Sequence, residues 1–275
     1  MKKMPVGYQL YSARDMVAKD LKAVLVSLKE MGYDGVEFAG LYGLDPQYVK
    51  GLVDGIGLVP ISAHIPLDDM LADPEKIFAD YSSIGCKFAV VPYVTEERRP
   101  GAEKFEETIA DMTKIGEIAN KYGMTLLYHN HDFEFTKVDG EYGLDVIYNR
   151  IPANLLQTEI DTCWVNIGGE NPAEYVKKYT GRAPVVHLKD FFLSGKRPDR
   201  LYALIGLDED EAQEEASTFE FRPVGHGNQD MPAILDAAVA AGAGWVVVEQ
   251  DEPSMGLSRL ECIKASRDYL KSLGW

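Results

Sequence analysis

Cysteine is scarce: Cys86, Cys163 and Cys262 are the only three in 275 residues. They are widely spaced and form no CxxC pattern, which excludes a disulfide framework and points to a reducing compartment. Basic residues are also in deficit, 28 Lys and Arg against 44 Asp and Glu, for a net charge of −16. The isoelectric point is about 4.7. A surface of that sign repels polyanions, so nucleic acid and anionic membranes are disfavoured as partners. A neutral or cationic small molecule, or a metal ion, meets no such objection. No window approaches the ~18 apolar residues of a membrane span, and MKKMPVGYQL lacks the apolar run of a signal peptide. A cytoplasmic location is expected. No phosphate loop is visible either. YSARD at residues 11–15 is no GxGxxG, and GxxxxGK[ST] occurs nowhere. No composition break or low-complexity linker divides the chain, so residues 1–275 read as one domain.

What is present is a repeated alternation of short apolar runs and longer amphipathic stretches. Hydrophobic residues make up 46% of the chain and charged residues 26%, as in ordinary globular proteins. Strands are expected at residues 5–11, 35–39, 59–65, 88–93, from 126, 155–161, 183–190 and 245–250. Between them, helical spacing recurs. Leu21, Val24, Leu25, Leu28 and Met31 precede Gly32. Residues 46–56 begin with Pro46 and precede Gly57. Asp73 and Pro74 open a helix that stops at Gly85, and residues 102–122 end at Gly123. Further helices are expected near 144–149 and at 172–179, 231–241 and 259–273. Eight strand–helix units imply a parallel sheet closed into a (β/α)8 TIM barrel. The competing architecture, an open doubly wound sheet, usually has a glycine-rich loop after its first strand.

A barrel of this kind gathers chemistry at the carboxyl ends of its strands. The stretch LLYHNHDFEF at residues 126–135 runs from apolar residues into His129, His131 and Glu134. Other strand ends offer Gln9, Tyr11 and Arg14, then Glu37, His64, Glu159 and Asp161, then His187, Lys189 and Asp190, and finally Glu249 and Asp251. His226 follows in VGHGNQD, and all five histidines fall on one expected rim. Carboxylates and imidazoles converging from separate strands suit a divalent metal ion, with Mn, Mg, Co, Fe and Zn all compatible. Such an ion can polarise a carbonyl while a nearby carboxylate moves a proton. Taken singly, these residues have ordinary roles as well. Glu37 can pair with a basic neighbour, Asp190 can bridge to Lys189 or Arg14, and His226 can shape a turn.

QLYSAR (9–14), YHNHDFEF (128–135), DTCW (161–164), HLKD (187–190), GHGNQD (225–230) and EQD (249–251) occur in this order along the chain. Together they resemble the sugar phosphate isomerase/epimerase family of the xylose-isomerase-like TIM barrel superfamily, whose members include ketose epimerases, inosose dehydratase and endonuclease IV. The resemblance implies one divalent metal ion (Mn, Mg, Co or Zn) held by Glu134, Asp161, His187 and Glu249. The sequence departs from the family pattern at Trp164, where many relatives have His. It departs again at Tyr128, where many have the liganding Glu. Glu134 is the replacement expected for that ligand, with His131 as the alternative. By the same resemblance Glu134 and Glu249 act as acid and base on opposite faces of a free or keto sugar, through an enediolate. His64, His129, His131 and Lys189 hold hydroxyls or assist proton transfer, and Tyr11, Trp164 and Phe133 wall the ring.

The resemblance therefore implies a metal-dependent sugar isomerase or epimerase with a small-molecule sugar as its substrate. The same chemistry applied to a substrate with a β leaving group gives the alternative, a lyase or dehydratase on a keto-sugar or 3-keto-glycoside. An abasic-site endonuclease conflicts with the charge and the histidine count. A non-catalytic sugar-binding barrel would bind its ligand without regard to EDTA. The connection after the seventh strand, from Phe191 to about Asp230, is unusually long. It includes Phe192, Arg197 and an acidic run at 208–215 that reads as a solvated helical face. This long connection, with Phe191, Phe192 and Arg197, is a candidate for a lid or for the contact of a homo-oligomer, and residues 201–217 are the part whose deletion would test it.

Overall fold

The computed structural model describes residues 3–195 and 218–275. Arg197, the acidic run at 208–215 and the 196–217 part of the candidate lid or subunit contact lie outside the described residues. Eight parallel strands close into a barrel: β1 (Val6–Gln9), β2 (Gly35–Ala39), β3 (Val59–His64), β4 (Phe88–Val91), β5 (Thr125–His129), β6 (Gln157–Asp161), β7 (Val185–Leu188) and β8 (Trp245–Val248). Each strand pairs with its sequence neighbours, and β8 closes on β1 through Val6–Val246 and Tyr8–Val248. The helices α1 (Arg14–Met31), α2 (Pro46–Ile56), α3 (Leu67–Ala72), α4 (Pro74–Ile84), α5 (Phe105–Lys121), α6 (Gly143–Arg150), α7 (Thr162–Ile167), α8 (Pro172–Lys178), α9 (Met231–Ala241) and α10 (Arg259–Ser272) complete the fold.

Helix ends follow the expected local chemistry. Asp45 and Asp73 accept backbone N–H bonds ahead of Pro46 and Pro74, and Gly32, Gly57 and Gly85 close their helices in the left-handed conformation. The periodic residues from Leu21 onward mark only the second part of α1. Asp20 is non-helical, and its carboxylate accepts from Ala23 N, so it caps a second segment behind a kink. The expected strand over 183–190 also divides. The barrel strand ends at Leu188, and Asp190–Ser194 pairs antiparallel with Thr218–Arg222.

Side chains alternate along each strand, so every second residue enters the barrel. The barrel floor is apolar, with Ile61, Val90, Leu127, Val185 and Val247 packed together. Leu126 and Tyr128 face the other way, into the larger core shared with the helices. Glycines on two neighbouring strands make room for the floor. A Cβ on Gly35 would lie 2.6 Å from Val59 O and 2.9 Å from Ile61 Cγ1. Gly35→Ala is therefore expected to cost about 1–3 kcal/mol by overpacking. Urea denaturation of the variant checks this, and an unchanged midpoint at unchanged slope would show that the floor has slack.

Candidate metal centre and cleft

Above the apolar floor the same alternation places polar groups inside. Two residues after Val185 comes His187 and then Lys189. Two after Leu127 comes His129, and after Val247 come Glu249 and Asp251. Glu37, Glu159, Asp161, Glu249 and Asp251 are all buried here. So many carboxylates out of water demand positive charge or hydrogen-bond donors nearby.

These groups form two tiers. In the inner tier Glu37 Oε1 accepts from Gln9 Nε2 at 2.6 Å and meets His187 Nε2 at 2.7 Å. Its other oxygen accepts from the Ser62 hydroxyl. Glu159 Oε1 meets His64 Nε2 at 2.6 Å and His129 Nδ1 at 3.1 Å. In the outer tier His187 Nδ1 meets Glu249 Oε2 at 3.0 Å. His129 Nε2 lies 3.7 Å from Asp161 Oδ2 and 3.9 Å from Glu249 Oε2. Lys189 Nζ pairs with Asp251 at 2.8 Å and lies 3.4 Å from Glu249. It packs over the rings of Trp164 and Phe221.

Among the described residues, two four-residue groups place one ligand atom each within 4.8 Å of one another: His64, His129, Glu159 and His187, and His129, Asp161, His187 and Glu249. Asp161 explains why the second group is open to an ion. Its Oδ1 caps α7 by accepting from Cys163 N and Trp164 N, while its Oδ2 is buried with no hydrogen-bond partner. An orphaned carboxylate oxygen beside two imidazoles and a second carboxylate fits a divalent cation. Burial pushes the Asp161 carboxyl up to about 7, against the pull of Lys189. Burial would also raise Glu37, but the imidazoles of His64 and His187 hold it well below its usual range. His64 is disfavoured as a cation by burial, yet Glu37 and Glu159 raise it to about 10.

The outer group opens into a cleft of about 420 Å³, a size suited to a small ligand. Its lining includes the polar residues His64, His129, His131, Lys189, Glu249 and Asp251 and, besides them, Ile65, Pro66, Tyr81 and Tyr93. Tyr11 stands at the mouth, with the Arg14 guanidinium 4.5 Å from its ring centre.

Among the expected ligands, Asp161, His187 and Glu249 come together, with His129 at the fourth corner. Glu134 is not in either group. Its carboxylate accepts from Tyr128 Oη at 2.6 Å and from His131 N at 2.8 Å, and it is fully buried. Because Tyr128 faces the helices, Glu134 follows it to that side of β5. Trp164 is also fully buried, 5.5 Å from His131 ring to ring, and does not line the cleft. Phe133 stacks on His131. The rim over-collected in one respect: His226 is exposed on its turn, away from the other four histidines. Asp190 neither bridges to Lys189 nor to Arg14. It accepts from the backbone N–H groups of Phe191, Gly225, Gly227 and Gln229, which gives GHGNQD a structural role. Glu37 pairs with basic neighbours as expected, His64 and His187, while Glu159 had no expected role beyond its place at a strand end; it stands two residues after Gln157, on the inward side of its strand.

A family profile for the xylose isomerase-like TIM barrel matches residues 25–273. The chain belongs to this family. As a xylose isomerase-like barrel, it is similar to the inosose dehydratase of Geobacillus kaustophilus, with 24% identity over 91% of this chain and 86% of that protein. A sugar phosphate isomerase/epimerase from Parabacteroides distasonis shares the fold, with a TM-score of 0.77 at 20% identity over 100% of this chain and 96% of the other. So does the IOLI protein, solved with a binding zinc atom, with a TM-score of 0.73 at 16% identity over 98% of both chains. No helix among the described residues is long and apolar enough to cross a membrane. Cys86, Cys163 and Cys262 are free and buried.

The environment of Glu134 yields a pH prediction. Burial pushes its carboxyl up to about 8 from 4.5, against the bonds from Tyr128 and His131 N. A raised carboxyl favours the folded state below its unfolded value, and that contribution is lost as pH rises through its folded value. Wild type is therefore expected to lose stability relative to Glu134→Gln between about pH 4.5 and 8. Thermal melts in EDTA across that range check the sign, and parallel curves would refute it.

Proposed function

We propose that this barrel is a metal-dependent lyase that eliminates a β substituent, water in the simplest case, from a keto-sugar or keto-cyclitol. The single observation that favours elimination over epimerisation is the engagement of Glu134. Two-face proton transfer needs an acid/base group on each side of the ring. Of the two glutamates expected to supply them, only Glu249 lines the cleft. Elimination on one face needs only one group that takes a proton and returns it. The likeness to inosose dehydratases supports the same reading.

In this proposal His129, Asp161, His187 and Glu249 hold the ion. When bound, a divalent ion supplies Lewis acidity toward a carbonyl oxygen. His131 is the shuttle. Burial, with Lys189 nearby, holds its imidazole well below the usual range, so it is neutral and able to accept a proton. Its ring lies parallel to Phe133 at 5.5 Å, which fixes its direction into the cleft. His131 takes the proton next to the carbonyl. As the β carbon–oxygen bond breaks, His131 returns that proton to the leaving oxygen, so the net change is loss of water. Burial disfavours the Lys189 ammonium, but Asp251, Glu249 and Asp161 hold it protonated. It therefore places fixed positive charge beside the developing anion. The apolar part of the lining, with Ile65 and Pro66, takes the C–H face of the ring.

Elemental analysis of wild type is expected to find about one equivalent of divalent metal, lost in Asp161→Asn and Glu249→Gln. No metal after incubation with Mn and wash-out would remove the proposal. Inosose and keto-sugars in D2O are then expected to yield a conjugated carbonyl absorbing in the near ultraviolet, with His131→Asn slowing turnover about 10²–10⁴-fold. Deuterium incorporation with recovery of an epimer and no loss of water would favour an epimerase.

A further inference from the structure

His129 and His187 each stand between the two tiers. Each ring has one nitrogen toward an inner carboxylate and the other toward the outer group. His187 Nε2 is 2.7 Å from Glu37, and its Nδ1 is 3.0 Å from Glu249. His129 Nδ1 is 3.1 Å from Glu159, while its Nε2 lies 3.7 Å from Asp161, beyond hydrogen-bond reach. An ionised carboxylate only accepts, so the ring nitrogen that faces it carries the proton. With those protons toward Glu37 and Glu159, His129 Nε2 and His187 Nδ1 are the nitrogens an ion would use, on the side where Asp161 Oδ2 has no partner; as it stands, His187 Nδ1 instead meets Glu249 Oε2 at 3.0 Å.

The inner carboxylates are themselves fixed. Glu37 is held by Gln9 and Ser62, and His64 Nε2 ties the two carboxylates together at 2.6 Å from Glu159 and 3.2 Å from Glu37. We propose that Glu37 and Glu159 are positioning residues that fix the tautomer and direction of His187 and His129 toward an ion in the outer group, and that the inner tier binds no ion of its own. This rests on the metal reading above. The inner tier has one unpartnered oxygen, Glu159 Oε2, so a second ion there is the competing outcome.

The test is metal stoichiometry, zinc affinity by chelator competition and the visible spectrum of the cobalt form. The proteins are wild type, Glu37→Gln, Glu159→Gln and Ser62→Ala, each checked for folding by circular dichroism. Wild type should bind a single ion. The two glutamine variants should still bind a single ion, about 10–100-fold more weakly, with a shifted cobalt spectrum. Ser62→Ala keeps both carboxylates and removes one donor to Glu37, so it should weaken binding by a smaller factor. If Glu37→Gln fails to fold, unchanged affinity in Ser62→Ala overturns the role of Glu37. Two ions in wild type with one lost in the variants, or unchanged affinity and spectrum in folded variants, overturns the proposal while the metal reading stands. No ion in wild type removes both.

Discussion

Buried negative charge is the constraint around which the upper barrel is arranged. Glu37, Glu159, Asp161, Glu249 and Asp251 are packed inside one ring of strands and withdrawn from water. Left unpaired, such groups would be strongly destabilising. The fold answers with His64, His187 and Lys189 at ion-pair distance and with Gln9, Ser62 and the α7 N-terminus as neutral donors. These leave without a hydrogen-bond partner Asp161 Oδ2 in the outer group and Glu159 Oε2 in the inner tier. Buried charge and ligand type are both consistent with a divalent metal site in the outer group.

The division between floor and polar tiers follows from strand geometry. Glycine at Gly7 and Gly35 lets Ile61 fill the bottom, and the next inward positions begin the charged layer. Lys189 shows how far the layer depends on its surroundings. It is nearly inaccessible, flanked by Trp164 and Phe221 on its apolar side and by Asp251 and Glu249 at its ammonium. Trp164 thus acts on the cleft through Lys189 and His131 rather than as a wall of it. The hairpin that starts at Asp190 supplies Phe221, and Asp190 locks the GHGNQD turn beneath it. A Cβ on Gly227 would lie 2.2 Å from Asp190 Oδ1.

Much of this was legible in the sequence because local rules govern it. The alternation of strand and helix, the Pro and Gly punctuation and the histidines at strand ends follow from short-range chemistry. They gave the eight-stranded barrel and a rim of candidate ligands, and the family resemblance singled out Asp161, His187 and Glu249, which do meet. His226 shows the limit of that logic. Its place after a strand suggested the rim, but the turn built on Asp190 holds it out in solvent.

The sequence by itself determined the barrel, its polarity along each strand and the kinds of ligand at its mouth, because period-two alternation and helix capping are properties of contiguous residues. Tertiary structure alone decided which groups pair. Glu134 lies in the same run as His129, but the Tyr128 hydroxyl draws it to the helix side of β5, and no spacing rule states that. Glu37 and Glu159 are 122 positions apart in the numbering, and only barrel closure sets both against His64. Which nitrogen of His129 or His187 is free for an ion depends on those distant carboxylates, because the proton on an imidazole goes to the nitrogen whose neighbour can accept it.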